Sequence, residues 1–160
     1  MKQMVDLNIN LSANFRLWEL VKSSTADRLG IDNTPNAEEI ENLRELCERI
    51  LQPARDELGP LRISSGFRSE KLNRAVGGVS NSDHRLGFAA DVIPVSVGTR
   101  SLAEWVAQNC PKFDQVILEF GTLDNPNWIH LSAAPRNRKE VLRATHEDGR
   151  VVYSPVLLFG

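Results

Sequence analysis

The sequence predicts an α+β domain, and three stretches carry that expectation. Residues 36–58 repeat apolar side chains at helical spacing, with charge on the opposite face. Residues 113–120 and 128–132 are rich in strand formers and are separated by turn residues. Residues 141–145 and 151–153 are apolar runs on either side of an Asp-Gly pair.

With 160 residues, 41% hydrophobic and 25% charged, the composition is that of an ordinary globular protein and argues against disorder, collagen and coiled coil. The length suits a single domain, 1–160, with its own core. Its parts are an N-terminal helical segment (12–58), a site-bearing core (61–132) and a C-terminal hairpin (139–158). Net charge is −2, the pI is about 5.9 and the basic residues are dispersed, so no nucleic acid is expected as a partner. Residues 1–15 alternate polar and apolar types instead of forming the apolar segment of a signal peptide. No stretch approaches the roughly 20 apolar residues that cross a bilayer. The expectations are synthesis into the cytoplasm, no membrane insertion and a monomer. Cys47 and Cys110 form neither a disulfide framework nor a C-x-x-C motif and read as core thiols.

Taken in order, Phe15, Leu17, Trp18, Leu20 and Val21 predict a short amphipathic helix over residues 14–23, capped by Ser12 or Asn14. After a polar stretch, 23–32, and a break at 33–36, Asn36 and Glu39 have capping-box spacing. Ile40, Leu43, Leu46, Cys47, Ile50, Leu51, Ala54 and Leu58 then predict a long helix that ends before Gly59 and bends at Pro53. Residues 61–64 alternate as a strand, 65–69 turn out of it, and Ser69 caps a helix that stops at Gly77 and Gly78. Thr99 or Ser101 caps a further helix carrying Leu102, Trp105, Val106 and Cys110, closed by Pro111. Residues 113–120 and 128–132 form a hairpin; a loop centred near Asp124 sets Glu119 opposite His130. The tail hairpin around Asp148 and Gly149 is given a structural role, covering a sheet edge or meeting a partner.

Residues 82–91 read SDHRLGFAAD and run into Val92 and Ile93. His84 and Asp91, with glycine and two alanines between them, suit a loop that enters a buried strand and turns both side chains to one point. A hydrolytic zinc site takes three protein ligands and leaves a fourth position open. His130 is the third candidate, since it faces away from its apolar neighbours Ile129 and Leu131. Alone, such a histidine is more often structural; beside His84 and Asp91 it completes a ligand set. His146 sits next to a turn and reads as solvated.

Glu119 is the first candidate for the group that takes a proton from water and passes it to a leaving amine. The other reading makes it a carboxylate that orients His130 through its second nitrogen. Asp114 and Asp124 are weaker candidates for the base. Arg68 offers a planar guanidinium for a substrate carboxylate, or is a surface arginine. Ser82 either bonds substrate or holds its loop.

Ser82, His84, Gly87, Ala89 and Asp91 match S-x-H-x-x-G-x-A-x-D, and Trp128, Ile129 and His130 match a later W-x-H. On these motifs the chain resembles the zinc D-alanyl-D-alanine carboxypeptidase family (peptidase family M15, small phage and prophage type). That group includes phage L-alanyl-D-glutamate endolysins, and its wider fold relatives include the hedgehog signalling domain. SGFRS at residues 65–69, then Asn73, Gly77 and Gly78, and FDQVILEF at 113–120 extend the resemblance over about residues 33–132.

The resemblance implies a central antiparallel sheet with helices packed on it and one zinc ion in the cleft, bound by His84, Asp91 and His130. It also implies that Arg68 holds a substrate carboxylate and that Ser82 helps orient the peptide. Several family members place the catalytic acid three residues before the last histidine; here that residue is Asn127, which cannot act as a base. Either Glu119 serves from the neighbouring strand or catalysis is impaired. The expected function is hydrolysis of peptidoglycan peptide stems, as a D,D-carboxypeptidase or an endopeptidase. The want of a secretion signal fits a phage endolysin that waits for a holin. Two rivals are a non-catalytic module that binds cell wall or builds a virion, and a zinc amidase or peptidase with another substrate.

Overall fold

The structure, a computed structural model, describes residues 4–159. Where one helix is expected over residues 14–23, the chain forms a small hairpin, β1 (Asn10–Ser12) and β2 (Phe15–Arg16), that runs directly into a short helix, α1 (Leu17–Val21). Arg16, not Ser12 or Asn14, starts the helix, its backbone N–H donating to the Glu19 carboxylate at 2.8 Å. The polar stretch that follows is a second helix, α2 (Ser24–Leu29), capped by Ser23, whose hydroxyl accepts the Ala26 N–H at 3.1 Å. Ala26 is the one buried residue of that helix, so no apolar periodicity betrays it in the sequence.

The capping box is present at the start of α3 (Ala37–Leu46), with Asn36 and Glu39 each accepting the other's backbone N–H at 2.8 Å. The helix continues through a wide π turn, Cys47–Leu51, into α4 (Gln52–Leu58). Pro53 explains the wide turn. It has no N–H for the Arg49 carbonyl four residues back, and its ring crowds that group in a regular helix. The freed Arg49 carbonyl accepts the Cys110 thiol at 3.7 Å. Leu43, Leu46, Ile50, Leu51 and Ala54 on this helix are all completely buried, the larger of them worth roughly 1.5–3 kcal/mol each.

The strands β3 (Leu61–Ser65), β4 (Ala89–Pro94), β5 (Gln115–Glu119), β6 (Trp128–Ser132), β7 (Glu140–Glu147) and β8 (Arg150–Pro155) form one sheet in the order β3-β4-β6-β5-β7-β8. Every pairing is antiparallel except β5 with β7, which is parallel. Helices α5 (Glu70–Ala75) and α6 (Thr99–Asn109) lie in the connections after β3 and β4. Ser69 caps α5 as expected, whereas α6 starts at Gly98 without a side-chain cap. One hydrophobic core joins residues from Leu11 to Ala133, with Val141, Val156 and Leu158 packed against it. Cys47 and Cys110 are free, buried thiols within it. No helix among the described residues is long and apolar enough to cross a membrane.

The β5–β6 hairpin corrects the expected register. Thr122 and Asn125 close its loop by exchanging N–H···O bonds of 3.2 Å, which centres the turn between Leu123 and Asp124. Glu119 therefore pairs with Trp128, and His130 with Ile117. The difference is two residues, and because side chains alternate with a period of two, Glu119 and His130 still share a face. In the β7–β8 hairpin, Asp148 and Gly149 both adopt positive φ, 50° and 76°, the backbone of a two-residue turn.

Candidate metal centre

His84 stands on a single 3-10 turn, Asp83–Leu86, whose cap is Ser82: the serine oxygen accepts the His84 N–H at 3.2 Å. Gly87 closes the turn with φ +81°, and a Cβ there would lie 2.6 Å from the Glu39 carbonyl oxygen. Only glycine both makes this turn and lies flat against α3. The imidazole Nδ1 is 2.7 Å from the Gly66 carbonyl oxygen. A carbonyl only accepts, so Nδ1 carries the proton and Nε2 presents a lone pair. Gly66 is itself fixed, because a Cβ there would come within 2.3 Å of the Leu20 carbonyl oxygen. The adjoining N–H of Phe67 donates to that same oxygen at 2.7 Å, and Arg68 N–H donates to the His84 carbonyl at 3.0 Å.

Asp91 on β4 and His130 on β6 are direct cross-strand partners. Asp91 Oδ1 lies 3.1 Å from His130 Nδ1 and 3.4 Å from His84 Nε2. All three residues are buried, and one ligand atom from each lies within 4.8 Å of the others. Two imidazole nitrogens and a carboxylate oxygen are a zinc donor set, and the cluster fits a single zinc ion. Burial pushes the Asp91 carboxyl up, but His84 and His130 outweigh it and hold the group well below the usual carboxylate range. Burial pushes His84 down; in His130 burial is outweighed by the Asp91 hydrogen bond together with the charges of Asp91, Glu119 and Asp83, and the net shift is upward.

Glu119 lies on the same face. Burial, and after it the charge of Asp91, raise its carboxyl to about 7. Its cross-strand neighbour Trp128 brings a buried indole N–H to the carboxyl, and that donor pulls the pKa the other way without outweighing burial. Asn127 is exposed, and its backbone N–H donates to the Glu119 carbonyl at 2.9 Å.

Arg68 is not a surface arginine. Its side chain is 18% exposed, with Nη2 3.6 Å from Asp91 Oδ2, Nε donating to Ser65 Oγ at 3.1 Å and Nη1 to Asn73 Oδ1 at 3.5 Å. Ser82 lies at the entrance of the turn that carries His84, as its cap. The two weaker base candidates are held elsewhere. Asp114 is completely buried, accepting from Arg136 at 3.1 Å and from Arg138 at 2.9 and 2.8 Å. Asp124 is on the exposed loop, 3.2 Å from Arg100. His146 is exposed, as expected, yet stacks on Phe120 with ring centroids 4.2 Å apart.

The sequence reading missed Asp83. Its carboxylate accepts the Ser132 hydroxyl at 2.7 Å and Arg136 at 2.6 Å, pinning the turn that carries His84 to the end of β6. Nothing in the spacing of these residues announces the link; the one available signal is an acid adjacent to His84.

The sequence model of the Peptidase M15 family matches residues 13–132, reaching further toward the N-terminus than the motifs do. A relative, the zinc D-Ala-D-Ala carboxypeptidase of Streptomyces albus G, is 45% identical over 56 residues, which is 34% of this chain. The matched part is 22% of that relative's own length.

Proposed function

The chain belongs to the Peptidase M15 family, and from that premise we propose that it is a zinc-dependent peptidase hydrolysing the peptide stems of bacterial peptidoglycan. It acts as a D,D-carboxypeptidase or an endopeptidase, the latter in the manner of a phage endolysin. The observation that supports this best is a sheet face carrying Asp91, His130 and Glu119, a carboxyl raised to about 7, with His84 brought against it from its 3-10 turn.

His84, Asp91 and His130 would hold the zinc ion, which when bound would supply a Lewis acid for the scissile carbonyl and make water more acidic. Glu119 takes the proton of the attacking water as its oxygen adds to the carbonyl carbon. The same carboxyl then gives that proton to the amine nitrogen as the C–N bond breaks. Arg68, steadied by Ser65 and Asn73, offers its remaining N–H groups to a substrate carboxylate. Ser82 already accepts the His84 N–H, so its hydroxyl proton is what it offers to the peptide. One chain supplies every group in this scheme, which suits a monomer.

The rival, a wall-binding or virion module without catalysis, rests on Asn127. Glu119 answers it by bringing an acid from β5 instead. Cell-wall sacculi treated with the chelated protein, then with protein to which zinc has been restored, separate the two. Zinc-dependent release of amine supports the peptidase; wall binding without any released amine, at full zinc occupancy, supports the module.

A further inference from the structure

The β7–β8 hairpin lies beyond residue 132, where the family match ends, and no step of the proposed chemistry uses it. Its register nevertheless brings one side chain to the site. Glu119 pairs with Ala144 on β7, and Ala144 pairs with Tyr153 on β8. Paired residues share a face, so Tyr153 stands in the same row and on the same face as Glu119, two strand spacings or roughly 10 Å away between Cα atoms. Ala144, completely buried, is the residue between them, and as the smallest side chain of the row it puts no bulky group between Glu119 and Tyr153. Glu119 is thus flanked in its row by Trp128 on one side and, beyond Ala144, by Tyr153 on the other.

The hairpin is held firmly beside Glu119. Arg143 Nη1 donates to the Leu118 and Phe120 carbonyls at 3.2 and 2.6 Å, and its Nη2 donates to the Gly121 carbonyl at 3.1 Å. His146 stacks on Phe120, the residue after Glu119. Tyr153 is 54% exposed, and its hydroxyl has no hydrogen-bond partner among the described residues. Burial, then the charges of Glu119 and Asp91, raise its pKa, which keeps the phenol a donor. A half-exposed phenol fixed on a rigid strand, facing the reacting row with its proton unused, is suited to a peptide carbonyl.

We propose that Tyr153 is a substrate-contacting residue of the same site, its phenol O–H donating a hydrogen bond to a backbone carbonyl of the peptide laid across Asp91, His130 and Glu119. The contact belongs to the bound peptide as a whole and not to the bond being broken, so its loss raises KM and leaves kcat in place. This inference rests on the peptidase reading.

The test uses the full zinc-loaded chain and a soluble peptidoglycan pentapeptide stem ending in D-Ala-D-Ala. Tyr153→Phe removes only the hydroxyl and is expected to raise KM about three- to tenfold, with kcat within twofold of the parent. Tyr153 is the chain's one tyrosine, so tyrosine carrying carbon-13 only at the hydroxyl-bearing ring carbon gives a single NMR resonance, and saturating peptide is expected to shift it. A parent that binds and cleaves the peptide, with an unchanged KM in Tyr153→Phe or a resonance that does not move, overturns the inference alone. A parent that neither binds nor cleaves overturns it together with the reading beneath it.

Discussion

Glu119 and His130 stand on one face of the sheet, on a diagonal: His130 is paired with Ile117 and Glu119 with Trp128. The carboxyl is therefore set one step along the strand from the ligand cluster and not directly against it. That offset suits a group that handles a proton beside the ligands better than one that orients His130 by contact.

The ligand set has a direct consequence for metal content. The parent chain is expected to bind one zinc ion, and His84→Ala, Asp91→Ala and His130→Ala each to lose it at equal free zinc. Elemental analysis after dialysis reads this, and full occupancy in any of the three contradicts the assignment.

Gly66 orients His84 through its carbonyl, with no room for a side chain against Leu20. Gly66→Ala is expected to weaken zinc binding by about 10–100-fold, as loss of a group that orients a ligand does. Competition with a chromogenic chelator measures it; an unchanged affinity shows that the carbonyl contact is dispensable.

Folding raises the Glu119 carboxyl from 4.5 to about 7, so the folded chain holds that proton more tightly than the unfolded one. In metal-free protein the stability this contributes is full below pH 4.5, is lost as pH rises to about 7, and is absent above. The stability of the parent relative to Glu119→Gln is therefore expected to fall by roughly 3 kcal/mol across that window. Urea unfolding of both metal-free proteins on either side of the window checks the sign, and a difference independent of pH contradicts it.

Asp114 has the opposite sign. Burial alone would raise it, but Arg138 and Arg136 outweigh burial and lower its pKa, so the stability it contributes is present above the ordinary Asp range and lost as pH falls. Asp114→Asn is expected to cost about 2–3 kcal/mol at neutral pH, with zinc stoichiometry unchanged, by denaturant unfolding and elemental analysis.

The cluster of His84, Asp91 and His130 was legible because its signal is local: SDHRLGFAAD and W-x-H each carry residue types and spacing that few structural needs produce. Glu119 was legible as to face but not as to partner, since moving the turn centre by one residue shifts the pairing by two, and alternation then keeps the face. The helix at Ser24–Leu29 was hidden because it buries only Ala26. The parallel pairing of β7 with β5 was hidden because alternation describes a strand and not its neighbour. The clamp of Asp83 and Asp114 by Arg136 depends on residues more than twenty positions apart, and only the folded sheet brings them together.

In the proposed reaction Glu119 moves the proton beside the cluster of His84, Asp91 and His130. Turnover of a peptidoglycan pentapeptide by Glu119→Gln, compared with the parent at equal and full zinc occupancy, tests it most directly. The expected result is a fall in kcat of about 10²–10⁴-fold with one zinc retained per chain; turnover within tenfold of the parent means that Glu119 is not the proton-transfer group.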